Sequence, residues 1–369
     1  MQKRLVFSTV AAVCIVLKLQ IVAVYAQTAF DVEESVLRLE TYLVSSTTQM
    51  TRGGSQPDWV NDPYSIYPRD HYIAAIGSAS DRNQAEARAF TALAAIFGQS
   101  VRSEFTVTTM YTEAINRGVI TVSENTGVRD MLTTAVTLDR LIGAEIGNIW
   151  DSRRGTVYAV AYMEKARAVS IYTDIITINN RNIAQLVSMS ESEKNTLSGL
   201  SRYRLSALIA GINANYAAVV TLSGGSTSSL NIRSVDSLNM EAAEIVRNIT
   251  IAVRVTNDRA NRVQDAFARV LSSEGFRTRG NNPLYTLEVD VEKSEISFHG
   301  NNFIFCRMEV SANLIENQSG SSMFPFNFNL REGHANYANA EAAVFARAER
   351  EIHEKFSVSL REYLLSLMP

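Results

Sequence analysis

The strongest constraint on how this chain can fold is an order of elements that occurs twice. Tyr72-Ile73-Ala74-Ala75-Ile76-Gly77-Ser78-Ala79 has strand character and leads into an alanine-rich helix, Asn83 to Gly98. Ile249 to Val255 is again strand-like and leads into a helix from Asn261 to Glu274, stopped by Gly275. Further strand-like runs follow each helix. After the first come Val101 to Tyr111, then Leu141 to Trp150 and Thr156 to Met163, the last two forming a hairpin around Asp151-Ser152-Arg153-Arg154-Gly155. After the second come Tyr285 to Ile296, Phe303 to Leu314 and Phe324 to Leu330, with Asn317-Gln318-Ser319-Gly320 turning between the last two. A final helix, Asn339 to Leu367, carries Ile352, Phe356, Leu360 and Leu364 at four-residue spacing. Strands with few, long helices suit an α+β fold better than a doubly wound sheet. The expectation is two small antiparallel-sheet domains, each with helices packed on one face, joined by a helical spacer.

Periodicity assigns the faces. Ala85, Ala89, Ala92 and Ile96 share one side of the first long helix, and small residues there let a helix lie close to a sheet. Residues 180–217 read as a helical pair, with Ile183, Leu186 and Val187 on one apolar face and Leu205, Leu208, Ile209 and Ile212 on the other. Ser223-Gly224-Gly225-Ser226-Thr227-Ser228-Ser229 is linker-like. Ahead of the first domain, Val32, Val36, Leu39 and Leu43 mark an amphipathic helix over 27–50, and Thr112 to Thr134 is polar. The expected organisation is 1–26 leader, 27–56 helix and linker, 57–178 first α+β domain, 179–222 helical pair, 223–236 linker and 237–369 second α+β domain.

The leader sets the address. Lys3 and Arg4 precede an apolar stretch, Leu5 to Val24, interrupted by Lys18 and Gln20. Lys18 leaves no uninterrupted run of about 20 apolar residues, which speaks against a membrane span. Val24-Tyr25-Ala26 offers residues a signal peptidase accepts, so cleavage is expected between Ala26 and Gln27. Lipidation at Cys14 is the alternative. There Val13 stands where a lipobox wants a small residue, and the apolar run continues past the cysteine. Export to the periplasm, or to the periplasmic face of an outer membrane, follows, with peripheral or lipid-anchored membrane association.

Charge and cysteine narrow the partners. Residues 1–26 contain three basic residues and no acid, so the mature chain has 35 − 3 = 32 basic against 38 acidic groups, a net −6. A mildly acidic surface gives no reason to expect nucleic acid, whose phosphates require clustered Lys and Arg. Only Cys306 survives cleavage, so no intrachain disulfide is available; it alternates with Ile304 and Met308 and reads as a small buried hydrophobe.

No motif of chemistry emerges. There is no phosphate loop and no Gly-x-Ser-x-Gly elbow. His71, His299, His334 and His353 are not spaced as metal ligands on one helix or strand. Glu288, Asp290 and Glu292 alternate with Leu287, Val289 and Val291, the pattern of a solvated sheet face rather than of paired catalytic carboxylates. Neither cofactor nor metal is expected. Trp59, Tyr64, Tyr67 and Tyr72 lie in and beside an irregular strap, Asp58 to Tyr72, among Pro63 and Pro68. Such rings either pin the strap to the sheet or offer a platform to a glycan or protein partner, and burial of area favours pinning.

Pro57-Asp58-Trp59, the strand Tyr72 to Ala79 and the Ala85-Glu86-Ala87-Arg88-Ala89 helix together resemble the opening of the LPP-twenty (twenty-kilodalton) lipoprotein family. The hairpin ending Tyr158-Ala159-Val160-Ala161-Tyr162-Met163-Glu164-Lys165 resembles its close. The resemblance spans residues 57–170, and the family includes envelope lipoproteins and flagellar outer-membrane proteins. It implies a non-catalytic component of an envelope or flagellar-associated assembly, with envelope proteins as partners. A peptidoglycan- or glycan-binding module is the alternative, and a periplasmic hydrolase a third.

Overall fold

The computed structural model describes residues 50–97, 141–297 and 303–367. The expected helix over 27–50 (except Met50, which begins the first strand), the strand Val101 to Tyr111, the polar stretch Thr112 to Thr134, and Cys14, Ala26, Gln27 and His299 lie outside them. The described elements are β1 (Met50–Arg52), β2 (Tyr72–Ala79), α1 (Arg82–Ile96), β3 (Ala144–Asp151), β4 (Val157–Glu164), α2 (Lys165–Val187), α3 (Glu191–Lys194), α4 (Leu197–Leu222), α5 (Val235–Asn248), β5 (Ile251–Thr256), α6 (Arg262–Ser273), β6 (Tyr285–Ser297), β7 (Ile304–Glu316), β8 (Ser321–His334), α7 (Tyr337–Glu351) and α8 (Ser357–Ser366). Among the described residues the fold is α+β, with two four-stranded sheets. Two compact units divide it: one holds β1 to β4, α1, α2 as far as Ile183 and α4 from Leu208; the other holds α4 as far as Ala207 and everything from Ser234.

In the first unit the strand order is β1-β3-β4-β2. β2 and β3 flank β4 antiparallel, and β1 joins β3 in parallel. Asp81 caps α1 by accepting from the Gln84 amide at 2.9 Å, and Ala85 and Ala89 are fully buried beneath it. Gly77 explains how close this helix comes. A Cβ on it would lie under 3.0 Å from the Ala89 nitrogen and the Ala85 carbonyl oxygen, so β2 and α1 meet backbone to backbone. The buried face is completed by Phe90 and Leu93, whereas Ala92 is half-buried and Ile96 exposed. The larger side chains, one position round from the alanines, took the core.

β4 passes directly into α2, and α2 packs with α4 in this unit through Tyr172 and Tyr216, whose rings are 5.1 Å apart. A buried amide ladder runs between the two helices: Asn179 donates to Asn213 at 2.7 Å, and Asn213 donates to Asn180 at 3.0 Å. Among the described residues α4 is the one helix long and apolar enough to cross a membrane, but 56% of that apolar stretch is buried inside the fold, as in a core helix.

In the second unit the order is β5-β6-β7-β8, with β5 parallel to β6 and the rest antiparallel. Each sheet is thus antiparallel with one parallel edge strand. The parallel pairing of β5 follows from its α6 crossover, because a helix between two strands returns the chain in the same direction. Leu287, Val289 and Val291 of β6, Cys306, Met308 and Val310 of β7, and Phe326 and Leu330 of β8 are buried on one face. α6 and the C-terminal helix cover it; Phe356 meets Phe267 at 4.8 Å and Phe326 at 5.2 Å, both edge-to-face. Glu288, Asp290 and Glu292 are exposed on the other face.

The C-terminal helix is not uniform. A wide π turn, Ile352–Phe356, joins α7 to α8, and Ile352, Phe356, Leu360 and Leu364 are all buried. A strict four-residue repeat drifts by about 40° per step on a helix of 3.6 residues per turn. The widened turn takes up part of that drift and keeps the four side chains on the sheet.

Candidate functional site

The face of the first sheet opposite α1 is roofed by the strap. Two single turns shape it, Asp58–Val60 and Pro63–Ser65. Pro63 starts the second, and the Asp62 carboxylate accepts from the Tyr64 amide at 3.1 Å. These turns drive Trp59 and Val60 onto Ala74, Trp150 and Val160 to form one buried cluster, against which Tyr64, Tyr67, Tyr158 and Tyr162 pack. Trp59 is 5% exposed, so its ring is core and not platform. The Trp150 indole N–H donates to the Gly53 carbonyl at 3.1 Å, holding the segment that leads from β1 into the strap.

At the strap's end three tyrosines close on one another. Tyr67 stacks on Tyr162 with centroids 4.4 Å apart, and Tyr72 meets both edge-on at 5.5 and 5.8 Å. The Tyr162 hydroxyl donates to Glu145 Oε2 at 2.8 Å, while Arg167 Nη1 donates to Glu145 Oε1 at 2.5 Å. Burial, then the hydrogen bond to Glu145, pushes the Tyr162 phenol well above the ordinary tyrosine range. Tyr67 moves the same way, through burial and then the neighbouring Tyr72 and Glu145. The Glu145 carboxylate is thus ion-paired with Arg167 while it accepts from Tyr162.

Beneath Tyr67 the β3–β4 ladder breaks. The register shifts between Ile146 and Ile149, leaving Gly147 and Asn148 as a bulge. The Tyr67 hydroxyl donates to Asn148 Oδ1 at 3.2 Å. Tyr64, another half-buried ring of the strap, is covered by the Arg69 guanidinium at 3.9 Å from its centroid. Ile66, between the two tyrosines, is 42% exposed.

Of the aromatics singled out in the sequence, the structure brings Trp59, Tyr67 and Tyr72 into one packed layer and leaves Tyr64 at its rim. Glu145, Gly147, Asn148, Tyr162 and Arg167 complete the layer and were missed. A glycine followed by asparagine inside a strand pattern is the signal that could have located the bulge. Among the described residues no group of three or more His, Cys, Asp or Glu is placed to hold a metal ion.

The part of the chain that builds this layer has a known likeness. Residues 57–164 match the LPP20 lipoprotein family. The match takes in the strap, β2, α1, β3 and β4, and less than a third of the chain. Solved structures similar to this one include a minor lipoprotein from Acinetobacter baumannii, 12% identical, covering 30% of this chain and 93% of that one at a TM-score of 0.25. A secreted protein from Helicobacter pylori is 10% identical and covers 80% of this chain and 98% of that one at a TM-score of 0.45. A lipoprotein from Neisseria meningitidis is 14% identical, with coverage of 28% and 96% and a TM-score of 0.19. No curated protein matches the sequence.

Proposed function

We propose that this chain is an exported, non-catalytic component of a bacterial cell envelope that works by docking to other envelope proteins, in the periplasm or at the periplasmic face of an outer membrane. The observation that carries the reading is the match of residues 57–164 to a lipoprotein family, over a unit whose aromatic and charged side chains hold one another. Glu145, the carboxylate within the layer, is engaged by Tyr162 and Arg167, which suits an architectural role better than proton transfer. A leader ending at Ala26 supports export. The test is chemical cross-linking in the native host with a C-terminally tagged full-length chain, followed by purification of the envelope fraction. The same envelope proteins recovered in fixed proportion across preparations support the reading. A chain recovered without protein partners but active on an envelope substrate overturns it.

A second reading, glycan binding, rests on the half-exposed Tyr64 and on Arg69 beside it. Trp59→Ala would hollow the core and so cannot probe it; Tyr64→Ala can. Pelleting with purified sacculi that Tyr64→Ala abolishes would favour this second reading over the first.

A further inference from the structure

We draw no further inference here: the strongest candidate, the outer edge of β2, which pairs with no strand but β4 among the described residues and whose Ser78 carbonyl accepts from Arg88 at 2.7 Å, carries nothing because nothing in the structure shows what covers it.

Discussion

The hydroxyl of Tyr67 lies so close over Gly147 that a Cβ at that position would fall under 3.0 Å from it. The bulge in β3 and the end of the strap are therefore one fitted contact, made possible by the absence of a side chain. Gly147→Ala should destabilise the protein by about 1–3 kcal/mol, the range for overpacking a filled site. Tyr67→Phe alone should cost about 1 kcal/mol for the lost hydrogen bond to Asn148. Because the hydroxyl is the nearest obstacle, the double variant should recover part of the glycine variant's loss. Urea unfolding of all four forms measures this coupling, and strict additivity would contradict the contact.

Trp59 and Tyr64 stand five residues apart on one strap and should behave oppositely. Trp59→Ala removes a 5%-exposed ring from the cluster and should cost about 3–5 kcal/mol. Tyr64→Ala removes a half-buried ring from the edge of the cluster and should cost less than the Trp59 change. Thermal unfolding of the two variants is the check, and equal losses would contradict the placement of the strap.

The amide ladder between α2 and α4 is a second internal test. Asn179 and Asn213 are 1% and 0% exposed; Asn179 donates to the Asn213 oxygen, and Asn213 donates in turn to Asn180. Removing one partner leaves a buried amide unpaired at a cost of about 1–3 kcal/mol. Asn213→Leu should therefore destabilise more than the combined Asn179→Leu, Asn213→Leu change destabilises beyond it. A double-mutant cycle in denaturant gives the coupling, and a value near zero would contradict the ladder.

Alkaline pH should weaken the first unit. Tyr67 and Tyr162 are held protonated, their pKa raised in the fold chiefly by burial. Above about pH 10, where an unfolded tyrosine ionises, the folded chain binds more protons than the unfolded one, so stability falls as pH rises. Below that pH these groups are protonated in both states and contribute no slope. Unfolding measured across this range should show the decline, and Tyr162→Phe should make it shallower. A slope unchanged by that substitution would contradict the burial of the phenol.

Cys306 should be silent in the native protein. It is fully buried on β7, its thiol pushed up by that burial, with the Tyr337 hydroxyl 3.7 Å away. An aromatic disulfide reagent should label it only after denaturant is added. Stoichiometric labelling without denaturant would contradict the packing of α7 over the sheet.

Much of this fold was legible because side-chain period reports burial directly. Alternation along β6 placed Glu288, Asp290 and Glu292 outside and Leu287, Val289 and Val291 inside. Gly320, at φ +70°, closes the turn that its sequence announced. On α1 the pattern found Ala85 and Ala89 but gave Ala92 and Ile96 the places that Phe90 and Leu93 take. Two faces overlap on an alanine-rich helix, and the sheet decides between them. The π turn at Ile352–Phe356 was hidden because a four-residue repeat looks the same on a straight helix as on a corrected one. The tyrosine layer was half-read. Tyr67 and Tyr72 stood out by composition, but their partners Glu145, Tyr162 and Arg167 come from β3, β4 and α2, and a contact across that sequence distance leaves no local mark.

The proposed function turns first on export, and the intact mass of the C-terminally tagged protein, taken after fractionation of its own host, tests it most directly. The expected result is a chain beginning at Gln27 and recovered from the envelope. A mass beginning at Cys14 with acyl chains attached would keep the export and change the anchor. A chain beginning at Met1 and recovered from the cytoplasm would contradict it.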